Sequence, residues 1–183
     1  MMLSGFDIEH LIKTGRLGVT PFSKDSVREN GMDFRLANEI ARHAEFKKGF
    51  VLDPSNQSHI ESSYKIEKDC EKGGMVIKAQ EQVLLSTVEF ISMPDDHAGF
   101  VELRSTWARH GLSMPPTIID AGFEGNVTLE VVNNAPYDIL LKPNLRFAHI
   151  VFNKLNNKAS DPYKGTYYGQ KGIKLPKPIR EKK

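Results

Sequence analysis

Leu103-Arg-Ser-Thr-Trp-Ala-Arg109 and Ile118-Ile-Asp-Ala-Gly-Phe-Glu-Gly-Asn-Val-Thr-Leu-Glu130 decide how the chain is read. In the second stretch Val127, Leu129 and Val131 alternate with polar residues, the period of a strand with one buried face. That strand, Asn126 to Asn133, follows a shorter one, Thr117 to Asp120, across the turn Ala121 to Gly125. Two carboxylates, Asp120 and Glu130, sit among Ile, Leu and Val, where a charge is costly to bury without a partner or a task. Asp120 reads either as a turn former or as a carboxylate that orients or deprotonates a water. Glu130 lies on the face opposite Val127, Leu129 and Val131. It is bland if that face meets solvent and a general acid/base if it lines a subunit interface. In the first stretch, Arg104, Ser105, Thr106 and Arg109 are donors suited to phosphate oxygens. Ser105 and Arg109 share a face if Thr106 to His110 forms a helical turn closed by Gly111, and the start of that turn would add backbone N–H groups. The plain alternative is a charged surface turn.

Working outward, Ser4 opens a short amphipathic helix with Phe6, Ile8, Leu11 and Ile12 on one side, ended by Gly15. Leu17 to Phe22 reads as a strand into a turn, Ser23 as the cap of one helical turn over Lys24 to Glu29, and Asn30-Gly31 as a turn. Met32 to Leu36 alternates as a strand, with Asp33 and Arg35 on one face as a pair. Residues 41–75 are polar and aperiodic and read as strands joined by long loops, with a break at Gly73-Gly74. Strands are predicted over Met75 to Ala79, Gln82 to Ser92, Ala98 to Arg104, Ile139 to Lys142 and Leu145 to Leu155. Short strands with Gly, Pro and Asn punctuation predict an all-β sandwich or barrel with a small N-terminal helix. Beyond Asn156 the apolar period stops. Tyr163, Tyr167, Tyr168 and the glycines around them read as an arm that orders on something. The expected division is a barrel over 1–156 and a flexible arm over 157–183.

Bulk numbers exclude more than they assign. A chain of 183 residues with 39% hydrophobic and 26% charged residues fits one soluble domain with an appendage. A net charge of +2 creates no field that would recruit nucleic acid, and only the tail from Lys171 to Lys183 is basic. No apolar run reaches 18 residues and no signal pattern opens the chain, so a cytoplasmic protein without membrane contact is expected. Cys70 is the single cysteine, so neither an internal disulfide nor the paired cysteines of a zinc nucleobase deaminase can be built. The 6 histidines show no H-E-x-x-H spacing, and no Walker loop or G-x-G-x-x-G is present. His149 reads as a satisfied core or interface histidine and His110 as a turn residue.

At this point the sequence resembles the dUTPase and dCTP deaminase superfamily, its archaeal branch in particular, over nearly the whole chain. The likeness is carried by Met2-Leu-Ser-x-x-Asp-Ile8, by Glu29-Asn-Gly-Met-Asp-Phe-Arg-Leu36 and by Arg104-Ser-Thr-Trp-Ala-Arg109. Ile119-Asp-Ala-Gly-Phe-Glu-Gly-x-x-Thr-Leu-Glu130 and Tyr163-x-Gly-x-Tyr167-x-Gly-Gln170 complete it. The resemblance implies a distorted β-barrel or jelly-roll-like β-clip core, a homotrimer with sites between subunits, and a deoxypyrimidine triphosphate, dUTP or dCTP, bound with Mg²⁺ held mainly by its phosphates and water. It implies that Arg104, Ser105, Thr106 and Arg109 grip phosphates, and that the base lies against a hairpin over Ser113 to Asp120, Thr117 and Ile118 included. Tyr163, Tyr167 and Gln170 close over the nucleotide.

The superfamily runs two chemistries. Asp120 matches the dUTPase aspartate that activates the water attacking the α-phosphate, a step that mostly needs positioning and charge neutralisation. Glu130 matches the deaminase glutamate that shuttles a proton between water and cytosine. Deaminases carry Thr-Ala and two further residues before the Ile/Val-Asp, whereas here Thr117 runs straight into Ile118-Ile119-Asp120. The interval from Arg109 to Asp120 is therefore about two residues short of the deaminase pattern and resembles dUTPase spacing. The arm has Thr166 where deaminases have Lys. Misplacing base-reading groups by about an ångström can cost about 10²-fold in rate. On that interval the first expectation is dUTP hydrolysis to dUMP and pyrophosphate. The alternatives are dCTP deamination by a metal-free Glu130, both activities together, or a catalytically silent nucleotide-binding trimer.

Overall fold

A computed structural model describes residues 1–70 and 73–179. Three helices and twelve strands are found among them: α1 (Gly5–Lys13), β1 (Gly18–Thr20), β2 (Val27–Arg28), β3 (Gly31–His43), α2 (Gln57–Ser62), β4 (Tyr64–Glu67), β5 (Met75–Ile77), β6 (Gln82–Ser92), β7 (His97–Leu103), α3 (Ser105–Arg109), β8 (Leu112–Ser113), β9 (Thr117–Ile119), β10 (Glu124–Asn133), β11 (Ile139–Leu141) and β12 (Arg146–Lys154). The main sheet runs β8-β10-β6-β3-β12-β7-β9, with β1 on β6 and both β2 and β4 on β3; β5 and β11 pair separately. All pairings are antiparallel.

This order forces the sheet to curl. At about 4.8 Å per neighbour, a flat path from β8 to β9 would span about 29 Å. Yet those two strands are joined by Met114-Pro115-Pro116 alone, which can bridge only about 14 Å. The result is the expected β-barrel-like core, realised as a half-barrel. Its lining includes Phe34, Phe147, Phe152, Met32, Leu36, Leu85 and Ile91, all essentially free of solvent. Burying each such side chain contributes about 1.5–3 kcal/mol.

Local sequence explains the elements. Ser4 caps α1 and Asp7 returns the contact, Asp7 Oδ2 accepting from the Ser4 amide at 3.0 Å and from its hydroxyl at 2.7 Å. Such a cap contributes about 1 kcal/mol. Gly15 follows at φ +69°. Ile8 and Leu11 are buried, but Phe6 is 81% exposed. Two residues along a helix turn a side chain about 200° away, so Phe6 cannot share the face of Ile8 as expected. The helical turn expected over Lys24 to Glu29 is a three-residue 3₁₀ turn, Lys24–Ser26, before β2. β3 runs far beyond Leu36, and α2 occupies part of the segment read as loops. Residues 180–183, the end of the basic tail, lie outside the described residues. Among the described residues no helix is long and apolar enough to cross a membrane.

Two expectations about pairing fail. Thr117–Ile119 does not form a hairpin with the strand that follows: β9 pairs with β7, Thr117 opposite Val101, while β10 pairs with β6 and β8. The Pro115-Pro116 pair takes the chain across from one sheet end to the other, so Ser113 to Asp120 is a crossing segment. Arg35 does not pair with Asp33. The Arg35 guanidinium donates to Glu89 Oε1 at 2.7 Å and its amide to Glu89 Oε2 at 2.7 Å.

Candidate active site

β10 supplies the centre. Its buried positions, Val127, Leu129, Val131 and Asn133, alternate with half-buried Asn126, Thr128 and Glu130, as the strand period requires. The half-buried face opens into a cavity rather than onto a flat surface. Thr128 and Glu130 line a cavity of about 430 Å³ whose other walls include Thr117, Ile118, Ile119 and Asp120 on one side and Tyr64, Gln82 and Leu84 on the other. Residues from the arm, Tyr163, Tyr167, Gln170 and Lys174, complete it. Asp120 and Glu130 therefore share one cavity, and so do the predicted base-side residues Thr117 and Ile118 and the predicted arm residues Tyr163, Tyr167 and Gln170.

The environment of Glu130 is apolar where it matters. Leu84 is its cross-strand partner on β6, and Tyr64, on β4 beside β3, lines the same cavity. Burial pushes the Glu130 carboxyl above the usual glutamate range, its own backbone amide opposing. The Tyr64 phenol is raised as well, first by burial and then by the charge of Glu130. Asp120 is exposed at the rim; its carbonyl accepts the Phe123 amide at 3.1 Å, which closes the turn.

The arm lies against its own chain. The Tyr163 amide donates to Ala121 O at 2.8 Å. The Tyr163 ring packs on Phe123 with centroids 5.8 Å apart, and its hydroxyl accepts the Tyr167 amide at 3.1 Å. Gly122, at φ +84°, lies so close to Pro162 that a Cβ would clash, so the turn and the arm fit only with glycine there. Gln170 is 8% exposed and its Nε2 donates to Asn126 O at 2.6 Å. Gln170 Oε1 has no hydrogen-bond partner among the described residues.

The phosphate-binding candidates sit elsewhere. Arg104, Ser105 and Thr106 line a separate cavity of about 300 Å³ with Arg28, Glu29, Asp33, Glu102 and His149. Arg109, exposed on the last turn of α3, lines neither this cavity nor that of Glu130. α3 begins at Ser105, one residue earlier than expected, and Gly111 follows it at φ +97°. Trp107 anchors the turn: its Nε1 donates to Arg146 O at 2.9 Å and its ring lies on Phe147 with centroids 5.6 Å apart. Arg104 is steered from below. Its Nε lies 3.5 Å from Asp33 Oδ2, while His149 Nδ1 lies 3.0 Å from Asp33 Oδ1. Asp33 is only 2% exposed, and Arg28 Nε is the other cation near Oδ2, at 3.8 Å. Within one chain, then, Asp120 and Glu130 line one cavity, Arg104 lines another, and Arg109 lines neither.

Sequence reasoning missed Tyr64, Gln82, Leu84, Thr128 and Lys174 on the cavity wall, and Asp33 as the anchor of Arg104. A usable signal existed for Asp33, an acid between Met32 and Phe34 in an apolar run. None existed for Tyr64, which emerges from the aperiodic segment. Among the described residues no three His, Cys, Asp or Glu side chains converge on a metal position. The hydroxyls and guanidinium groups around α3 suit the oxygens of a Mg²⁺-bound phosphate chain, since Mg²⁺ commonly keeps waters and phosphate ligands.

Comparison with known proteins fits this geometry. Residues 2–155 match the dCTP deaminase-like family. A dCTP deaminase of Pyrobaculum islandicum is 45% identical over 180 residues, 98% of each chain. One from Sulfurisphaera tokodaii is 43% identical over 177 residues, 97% of this chain and 92% of the relative. In fold, the chain is similar to a 2'-deoxycytidine 5'-triphosphate deaminase of Agrobacterium tumefaciens, with TM-score 0.65 at 18% identity over 84% of this chain and 48% of that one. A Staphylococcus bacteriophage 80alpha dUTPase aligns with TM-score 0.50 at 15% identity, over 82% of this chain and 89% of that one. A half-barrel with Glu130 on the cavity face of β10, matched from residue 2 to 155 and aligned end to end with relatives of that kind, means that the chain belongs to the dCTP deaminase-like family.

Proposed function

We propose that the protein deaminates dCTP to dUTP and ammonia, with Glu130 as the proton shuttle. The observation that carries this reading is a carboxyl on the cavity face of β10 whose proton affinity is raised by burial beside Leu84 and Tyr64. The 43–45% identical relatives named dCTP deaminase support it. They reverse the order drawn from the short interval between Arg109 and Asp120, which had put dUTP hydrolysis first. That interval ends on β9, which is held by β7 rather than by β10. Its length therefore bears on the wall opposite Glu130 and leaves Glu130 itself in place.

Glu130 would take a proton from water as the hydroxide adds to C4 of the cytosine ring, and hand it to N3. It would then carry the hydroxyl proton to the amino group, so that the C4–N bond breaks and ammonia leaves with a C4 carbonyl behind. A group that both accepts and donates works best with its pKa close to the operating pH, and burial moves Glu130 that way. No metal takes part in these steps. Mg²⁺ would enter with the triphosphate and neutralise part of its charge. Arg104, Ser105 and Arg109 would reach the phosphates from a neighbouring copy in a homotrimer, which accounts for their absence from the cavity of Glu130. The free nucleotide pool that such an enzyme serves is cytoplasmic.

A second reading is dUTP hydrolysis in the same cavity, favoured by Asp120 at its rim. Incubation with Mg²⁺ and dCTP or dUTP, following ammonia and pyrophosphate separately, tests both. Ammonia from dCTP is expected. Pyrophosphate from dUTP without ammonia from dCTP would overturn the deaminase reading, and both products would add hydrolysis to it.

A further inference from the structure

The arm's closed position is set by bonds to β10 and β3. The Gly169 amide donates to Glu124 O at 2.7 Å and the Asn126 amide to Gln170 O at 3.0 Å. The Gly172 amide donates to Asn126 Oδ1 at 3.1 Å and the Lys174 amide to Thr128 Oγ1 at 3.2 Å. Between these β10 contacts, the Ile173 amide crosses to another strand and donates to Glu39 Oε1, on β3, at 2.6 Å. The same oxygen accepts the hydroxyl of buried Ser86, on β6, at 2.6 Å. One carboxylate oxygen thus ties the arm to two central strands.

Two further facts point to this contact. Gly172 has φ +64°, a conformation that favours glycine, and a Cβ there would push on the Glu39 carboxylate. Ile173 is buried against Ala41 and Leu84, and Leu84 is the cross-strand neighbour of Glu130. The latch therefore seats the side chain that covers the apolar flank of the candidate catalytic carboxyl.

We propose that Glu39 is a positioning residue that latches the arm shut over the cavity of its own chain, so that the closed fraction of the arm sets the apparent affinity for nucleotide. A hydrogen bond to a charged acceptor is among the stronger ones, and its loss shifts an opening equilibrium by about 10- to 100-fold. If nucleotide binds the closed form, apparent affinity falls in proportion to the closed fraction, and so by less than the equilibrium shift as long as the closed form still dominates. At saturation the nucleotide itself holds the arm shut, so the maximal rate stays near the wild-type value.

Amide hydrogen exchange on the full chain without nucleotide tests the latch directly. In Glu39→Ala, exchange over residues 169–174 should rise about 10- to 100-fold while β6 and β10 keep their protection. Glu39→Gln keeps an acceptor oxygen and should recover most of the loss. Gly172→Ala disturbs the contact from the arm side, away from the core, and should open the same residues. Unchanged exchange in both Glu39→Ala and Gly172→Ala, equal loss of protection throughout the sheet, or an arm already unprotected in the wild type would overturn the proposal. The kinetic half rests on the deaminase reading: KM for dCTP should rise with kcat largely kept. A fall in kcat at constant KM would mean damaged protein rather than an open arm. If neither dCTP nor dUTP were turned over, that reading would fail while the exchange result still decided the latch.

Discussion

The cavity face of β10 and the turn at α3 hold the candidate chemistry in opposite ways. β10 is ten residues long, flanked by β6 and β8, and roofed by the arm. α3 is five residues long, and its Ser105, Thr106 and Arg109 are exposed. It is fastened through Trp107 on Phe147 and through Arg104 over Asp33. The difference fits what each part would handle under the deaminase reading. A carboxyl that must give and take a proton needs partial shelter from water to move its pKa. A grip on phosphates needs donors that reach outward to a charged, hydrated group. A sheet interior supplies the first and a surface turn the second, and in this chain they do not face each other.

The largest break in that comparison is at β10. Glu130→Gln should lower the rate of ammonia release from dCTP by about 10²- to 10⁴-fold, the usual worth of a positioned acid/base, while nucleotide binding persists. If Asp120→Asn abolished turnover and Glu130→Gln did not, the exposed rim would hold the chemistry and the hydrolase reading would replace the deaminase one.

Next comes the separation itself. Arg109→Ala removes an exposed donor, so its melting temperature should stay near the wild type while KM for dCTP rises about 10-fold or more. Co-assembling Arg109→Ala with Glu130→Gln chains then asks whether one site draws on two chains. In mixed oligomers about a quarter of such shared sites would receive both intact halves, so activity at low dCTP should rise above that of either preparation on mixing. No gain at low dCTP after verified subunit exchange would return Arg109 and Glu130 to a single chain.

What the sequence disclosed tracks the same contrast. β6 is found at Gln82–Ser92, as its continuous apolar run between turn signals predicts, and the alternation in β10 places Glu130 on the correct face. Long strands carry their burial in their own period. Contacts between distant strands do not: Arg35 on β3 meets Glu89 on β6, 54 residues along the chain, rather than Asp33. α2 escaped because its six residues bury only Ile60, too few for a helical period to show. Tyr64 follows directly from that segment, so one wall of the cavity was invisible. The arm was recognisable by its tyrosines and glycines, but its seat on Asn126 and Thr128 flanks a register shift of β6 against β10, which no local pattern announces.

The smallest expected effect isolates burial from catalysis. Because the folded protein holds the Glu130 proton more tightly than the unfolded chain does, ionising this group costs folding stability. Below the ordinary glutamate range Glu130 is protonated in both states and contributes no difference. As pH rises from that range through the raised folded value, the wild type should lose stability that Glu130→Gln keeps. At neutral pH the Gln variant should therefore be slightly the more stable protein, even though it is the less active one. The gap stays small because Glu130 is only half-buried. Urea unfolding of both proteins across pH 4 to 8 measures it, with Arg109→Ala as the comparison from the exposed turn, whose pH profile should run parallel to the wild type. A wild type that tracked Glu130→Gln across the whole range would mean that the β10 face is as wet as α3, and the physical distinction between the two regions would be gone.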